Sequence, residues 1–328
     1  MDASTLDLAR LQFALTAGAH FLFVALTLGL ATFVALIQTR ATFSRDPMHL
    51  RMVRFWGQLY VINYAVGIVT GIVMEFQFGM NWSGLSHFAG NTFGATLALE
   101  TVIAFFIEAT FLGLWIFGWG RLNRWAHLAT IWVVTLTAYA SAYFILVTNG
   151  FLQDPAGFTR DGESLRLTDP AALLTNPNAI VAFLHIVGGA LLTGAFFMAG
   201  VAAYHLFRHT HEHRMFVTSL RIGVFTALPA TLFTATFGGI QFAVVGGNQP
   251  MKMAVFDGTP AKVAQEQAAA VARYGPGDYV PPEMWVRLGG ILMLVAFGLM
   301  MYLAIGNVVL ALFRKVVLRF RLWHLLLI

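Results

Sequence analysis

Residues 97–119 read LALETVIAFFIEATFLGLWIFGW. The run is long enough to carry an α-helix across the ~30 Å of hydrocarbon in a bilayer, yet it holds Glu100 and Glu108. An ionisable side chain at membrane depth costs roughly 2.5–3.5 kcal/mol on insertion scales unless it is paired, hydrated or bound to a metal. Two on one helix point to a polar interior shared with neighbouring helices. This span covers about 94–118, and six more apolar runs lie on either side of it at roughly 12–37, 53–78, 126–148, 178–207, 215–246 and 283–313. Helices satisfy their own backbone groups in lipid, so the expected fold is an all-α membrane protein, a bundle of about seven transmembrane helices.

Composition agrees. The 328 residues are 58% hydrophobic and 11% charged, with a mean hydropathy of +0.73, which is membrane-protein composition. Cys is absent, which removes disulfide frameworks, thiolate zinc sites, iron–sulfur clusters and thiolate-ligated haem. Any metal is then held by His, Met or carboxylate. The opening MDASTLDLAR is acidic rather than basic, so it is read as the start of a retained span and not as a cleavable signal.

An odd number of spans puts the termini on opposite sides. One side carries twelve basic residues, among them Arg45, Arg51, Arg54, Arg124, Arg214 and the tail's Arg314, Lys315, Arg319 and Arg321. The other has six: Arg10, Arg160, Arg166, Lys252, Lys262 and Arg273. By the positive-inside rule the N-terminus is outside and the C-terminus cytoplasmic. The net charge of +5 therefore reflects topology, with lipid bilayer and no nucleic acid as partner.

At ~1.5 Å per residue, His20, Glu100, His185 and Arg287 fall in one layer near the outer third of the membrane, with Glu75 just above. Glu108 is expected ~12 Å deeper than Glu100 and rotated by roughly 80° on an unbroken helix, so the two are candidate stages of a proton route. His20 in LTAGAHFLF and His185 in AFLHIVGGA have small neighbours that let a flat macrocycle, or another helix, come close. Each is either a structural hydrogen-bonding group or an axial haem ligand, and imidazole is a usual ligand to haem iron. Arg287 is placed to neutralise a haem propionate or Glu75. His205, His209, His211 and His213 cluster at the inner end of span 5, a solvated patch or a metal site.

Residues 247–282 form the one long polar excursion, NQPMKMAVFDG through YGPGDYVPP, with AKVAQEQAAAVAR between them read as a surface helix. Long loops in compact proteins commonly carry function. Lys252 and Asp257 offer a donor and an acceptor suited to a quinol headgroup. The chain is thus divided into a six-helix core (1–246), an outer loop (247–282) and a seventh helix with a basic tail (283–328).

The segments LARLQFALTAGAHFLFVALTLGL (8–30), MEFQFGMNW (74–82), FGATLALETVIAFFIEATFLGLWIFGW (93–119), ILVTNGFLQDPAGF (145–158), NPNAIVAFLHIVGGALLTGAFFMAG (176–200) and QPMKMA (249–254) carry a resemblance. The chain resembles subunit I of cytochrome bd-type quinol oxidases over essentially its whole length. The resemblance implies electron transfer from quinol to dioxygen in a bacterial or archaeal cell membrane, with haem b and haem d, or b-type haem only. It implies His20 as axial ligand of the high-spin haem pair, His185 as ligand of the low-spin haem, and Glu100 and Glu108 at the dioxygen site and along the proton path. It also implies Lys252 and Asp257 in the quinol-binding loop, Asp257 standing where the family usually has Glu.

Three departures accompany it. The family's two further helices, with a GRQPW-like motif, do not follow the seventh. Its Arg-x-Met reads Arg287-Leu288-Gly289, leaving Met293 one turn on as the nearest substitute ligand. GGIQFAVVGG (238–247) lacks the family's acidic pair. The implied partners are a second, subunit II-like membrane chain and another subunit I-like chain that would supply missing ligands. The alternative is a non-oxidase homologue, a haem-binding electron-transfer or assembly subunit. A cofactor-free transporter is a third class, which buried charges fit and paired histidines do not.

Overall fold

The computed structural model describes residues 3–313, 317 and 321–328; the tail's Arg314, Lys315 and Arg319 lie outside them. The first seven long elements are α1 (Ala3–Ser44), α2 (Pro47–Met80), α3 (Ser83–Leu99), a π-helical segment (Glu100–Phe105), α4 (Phe106–Phe117), α5 (Arg124–Gln153) and, after a short α6 (Pro170–Leu174), α7 (Pro177–Phe207). There follow α8 (His213–Asn248), α9 (Pro250–Asp257), α10 (Pro260–Tyr274), α11 (Glu283–Leu312) and α12 (Arg321–Leu327). Seven helical stretches of 30 to 40 residues are apolar enough to cross a membrane.

The spans begin and end beyond the apolar runs because polar caps extend them. Asp46, Asn123 and Asn176 each accept a backbone N–H at the start of α2, α5 and α7, satisfying donors a helix start leaves free. Asp46 lies between spans, and its bond from the Met48 N–H, aided by Arg214, His49 and Arg51, holds its carboxyl below the usual range.

Two features go beyond the all-helical expectation. Phe158–Asp161 and Ser164–Leu167 form an antiparallel hairpin, β1 and β2, closed by Gly162–Glu163 with the glycine at φ 59°, a value only Gly adopts readily. Within the polar excursion, α9 and α10 order most of the chain, leaving 275–282 as the irregular return.

The core runs between α1, α2, α4, α5, α7 and α8, with Trp56, Tyr60, Met52, Leu30, Met198 and Leu220 fully enclosed. α11 packs on α8 and α9 and, near its end, takes the Trp323 Nε1–H of α12 on Asn307 Oδ1 at 2.7 Å, but its first half is open, with Met284, Trp285, Ile291 and Val295 exposed. The contact of α1 with α7 sets the relative heights of the two half-buried histidines. Gly194 comes so near Gly29 that an added Cβ would lie 3.0 Å from the Gly29 Cα, the close backbone approach that small residues permit between membrane helices. His20 precedes Gly29 by nine residues, and His185 precedes Gly194 by nine. On two helices running the same way, the rings start from equal heights.

Candidate functional site

His20 and His185 are held by one device built twice. His20 Nδ1 lies 3.1 Å from the Gly67 carbonyl on α2; His185 Nδ1 lies 2.9 Å from the Thr234 carbonyl on α8. A carbonyl only accepts, so in both rings Nδ1 carries the hydrogen and donates it. Four residues on from each carbonyl stands a glycine: a Cβ on Gly71 would come within 3.0 Å of His20 Cε1, and one on Gly238 within 3.0 Å of His185 Cε1. The glycines give each ring the space to lie against the helix that orients it.

Nε2 of neither ring has a hydrogen-bond partner among the described residues. A half-buried imidazole with Nδ1–H given to a carbonyl and a bare Nε2 lone pair is the donor arrangement of a metal-binding histidine. With no Cys in the chain, these residues fit axial ligation of a haem iron. At His20, Nδ1 is also 3.0 Å from Thr70 Oγ1, whose own proton goes to the Gly67 or Val66 carbonyl; His185 has no such second acceptor among the described residues.

The carboxylates gather on the His20 side. Glu100 opens the π segment, and π turns inside α-helices often mark functional sites. Glu100 Oε1 accepts from Ser141 Oγ of α5 at 2.6 Å, and Oε2 lies 3.2 Å from Thr101 Oγ1. The same hydroxyl is 3.5 Å from Glu75 Oε1, so Thr101 stands between the two carboxylates. Glu100 is within electrostatic reach of His20, Glu75 and Glu108.

A π turn holds more residues than an α turn, so eight residues sweep less angle and approach two whole turns. The 80° offset expected for an unbroken helix is thereby reduced, which turns Glu100 and Glu108 towards a shared face. Glu108 is 5% exposed and makes no hydrogen bond or ion pair among the described residues. Beside it the hydroxyls of Tyr60 and Tyr64 are buried without partners.

Other expected residues lie elsewhere. Arg287 pairs with Glu283 at 2.8 Å and donates Nε–H to the Val255 carbonyl at 3.0 Å; Glu75 is not its partner, because the i,i+4 carboxylate on its own helix is nearer to hand. Arg287 thus ties α11 to α9. Asp257 pairs with Lys262 of α10 at 3.0 Å, while Lys252 is exposed on α9. Met293 is 45% exposed on α11. No cluster of three metal-ligating side chains occurs among the described residues, and His205 stacks on Phe216 at 4.0 Å.

Sequence reasoning missed Gly71, Gly238, Thr70, Ser141 and the tyrosine pair. Tyr60, Tyr64, Gly67 and Gly71 follow a four–three–four spacing that puts them on one face of α2, a signal that was available; the carbonyl acceptors had none.

The family model for cytochrome bd terminal oxidase subunit I matches residues 8–278. Cytochrome bd ubiquinol oxidase subunit 1 of Bacillus subtilis is 46% identical over 255 residues, 78% of this chain and 54% of that protein. Cytochrome bd-II ubiquinol oxidase subunit 1 of Escherichia coli is 42% identical, covering 77% of this chain and 49% of that protein. The chain therefore spans about half the length of these curated relatives. Its fold matches a chain of the bd oxidase from Geobacillus thermodenitrificans with a TM-score of 0.84 at 24% identity, over 98% of this chain and 82% of that one.

Proposed function

The chain belongs to the cytochrome bd terminal oxidase subunit I family, and on that premise we propose that it is the haem-bearing part of a quinol:dioxygen oxidoreductase in a bacterial or archaeal cell membrane. The observation that carries the reading is the doubled histidine device, which leaves two Nε2 atoms without a partner among the described residues. Haem of b type, with haem d at the dioxygen centre, supplies the one-electron and dioxygen chemistry when bound. His20 and His185 hold it, and their backbone acceptors fix tautomer and ring orientation.

Glu100, oriented by Ser141 and Thr101, holds a proton close to His20, and Glu108 receives it from the cytoplasmic side. Glu75 adds to the negative field there. Lys252 and Asp257 on α9 offer a quinol headgroup its donor and acceptor at the outer surface, with Arg287 bracing that helix. The N-terminus is outside and the tail cytoplasmic, and 1–246, 247–282 and 283–328 serve as haem core, quinol loop and closing helix. Met293, exposed as it is, would serve as second ligand only if a partner surface closed over α11. A subunit II-like chain and a further subunit I-like chain are the partners such a surface needs.

The competing reading, an electron-transfer or assembly subunit without dioxygen chemistry, has no use for Glu100 beside His20 with Glu75 and Glu108 within reach of Glu100. The test is a reduced-minus-oxidised spectrum with haem extraction on the purified membrane complex. Two spectrally distinct haem populations are expected; a folded, colourless preparation would sink the proposal.

A further inference from the structure

A cavity of about 450 Å³ opens where the α1–α2 turn meets the α4–α5 turn, both on one membrane face because α1 and α4 run in the same direction. Arg45, Arg54 and Arg124 line it. Among the described residues none of the three has an acidic partner or a side-chain hydrogen bond: Arg54 lies over the Trp119 ring at 5.1 Å and Arg124 over Trp125 at 5.3 Å. Two neighbouring arginines are different. Arg51 pairs with Glu212 at 3.1 Å and Arg214 with Asp46 at 3.6 Å. Asp46, the one acidic lining residue, is thus already engaged, by Arg214 and by the Met48 N–H at 2.8 Å.

The floor is polar and built. Gln38 Nε2 meets His127 Nδ1 at 2.9 Å, Trp115 Nε1–H donates to Gln38 Oε1 at 2.7 Å, and His127 Nε2 meets the Trp115 carbonyl at 2.9 Å. Thr42, 8% exposed, lines the same floor with a hydroxyl that makes no hydrogen bond among the described residues. The walls are apolar: Ala41, Leu50, Leu122 and the Trp119 ring.

We propose that this cavity binds the phosphodiester headgroup of an anionic phospholipid, with Arg45, Arg54 and Arg124 on the phosphate and the apolar walls against the glycerol and upper acyl chain. Unpaired guanidiniums match phosphate oxygens by geometry as well as charge, and a site between the ends of spanning helices lies at headgroup depth. Ordinary positive-inside arginines would leave neither a concave volume nor an apolar wall beside them. The shared chemistry, a phosphate, could also come from solution, and the apolar walls argue for the lipid.

The test uses the chain with whatever subunit accompanies it, in nanodiscs of phosphatidylcholine doped with phosphatidylglycerol brominated on its acyl chain. Phosphatidylglycerol is expected to stay through a detergent wash at about tenfold or more its share relative to phosphatidylcholine, given the attraction each surface cation adds. The triple variant Arg45→Gln, Arg54→Gln, Arg124→Gln should lose that excess, and the paired-residue variant Arg51→Gln, Arg214→Gln should keep it. Should the triple variant not fold, bromine quenching with the three arginines intact decides: tryptophan emission should be quenched by the brominated lipid, and the quenched fraction should fall when Trp119→Phe is introduced. Equal retention of the two lipids, a folded triple variant that keeps the excess, or quenching unchanged by Trp119→Phe overturns the proposal. Stabilisation by inorganic phosphate in the absence of any phosphatidylglycerol preference overturns the lipid assignment and gives the site to a soluble anion.

Discussion

The His20 and His185 centres share a mounting and differ in surroundings. Each ring gives Nδ1–H to a carbonyl, lies over a glycine four residues on, and sits nine residues before the same helix contact. Glu100 is within electrostatic reach of His20, with Glu75 and Glu108 within reach of Glu100 in turn; no carboxylate hydrogen-bonds or ion-pairs with His185 among the described residues. On the proposed reading, one histidine mounting with unequal carboxylate surroundings separates two tasks. A centre that only relays electrons gains nothing from nearby carboxylates, whose charge is costly at that depth. A centre that consumes protons needs them within reach.

The largest expected effect breaks the pair apart. His20→Ala should remove the haem signal belonging to that centre and leave the other, and His185→Ala should do the reverse, each read in reduced-minus-oxidised spectra with haem content per chain. Loss of both signals in either variant, with the helical fold retained, would mean that the two sites are not separable units. Next come the glycines. Gly71→Val and Gly238→Val each drive a branched side chain into a ring that an added Cβ already approaches to 3.0 Å, so each should displace its own histidine and no other.

Much of this contrast was legible from residues 97–119 and from the two histidines, because a charge in an apolar run is conspicuous one residue at a time. The seven spans were likewise readable, since their signal is bulk apolarity over more than a helical turn. The hairpin and the π segment were not. The hairpin is four residues a side, too short for periodicity to speak, and only Asp161-Gly162 hints at a turn. The π segment is a backbone choice within a uniformly apolar run and leaves no compositional mark. The carbonyl acceptors were illegible for a stronger reason: every residue has one, so which carbonyl meets a histidine depends on helix packing alone. Arg287 illustrates a different failure, in which a long-range partner was expected and a local one at i−4 prevailed.

A sharper probe of the unequal surroundings is the carboxylate itself. Glu100→Gln keeps the shape and removes the titrating group, so turnover should fall by about 10²-fold or more, the range for a positioned proton donor, while the His185 spectrum stays unchanged. Ser141→Ala takes away the 2.6 Å bond to Glu100 Oε1 and should cost about ten- to a hundredfold, in keeping with ~1.5–3 kcal/mol for a hydrogen bond to a charged group. Comparable slowing from a carboxylate-free position beside His185 would erase the distinction between the two centres.

The smallest effect tests whether the two mountings are truly alike. Thr70 Oγ1, 3.0 Å from His20 Nδ1, is the one acceptor that His185 lacks. Thr70→Val removes it and leaves the Gly67 carbonyl alone to accept Nδ1–H, which makes the His20 mounting the same as that of His185. With one acceptor fewer the imidazole is a slightly weaker donor to iron, so the midpoint potential of that centre should rise. The Thr70 proton no longer competes for the Gly67 carbonyl, which strengthens the remaining bond and opposes the rise. A net shift of ~1 kcal/mol or less is expected, about 40 mV for a one-electron couple, with the other centre unmoved in a redox titration. A fall in potential, or an equal shift at both centres, would show that the hydroxyl acts through the helix rather than through the ring.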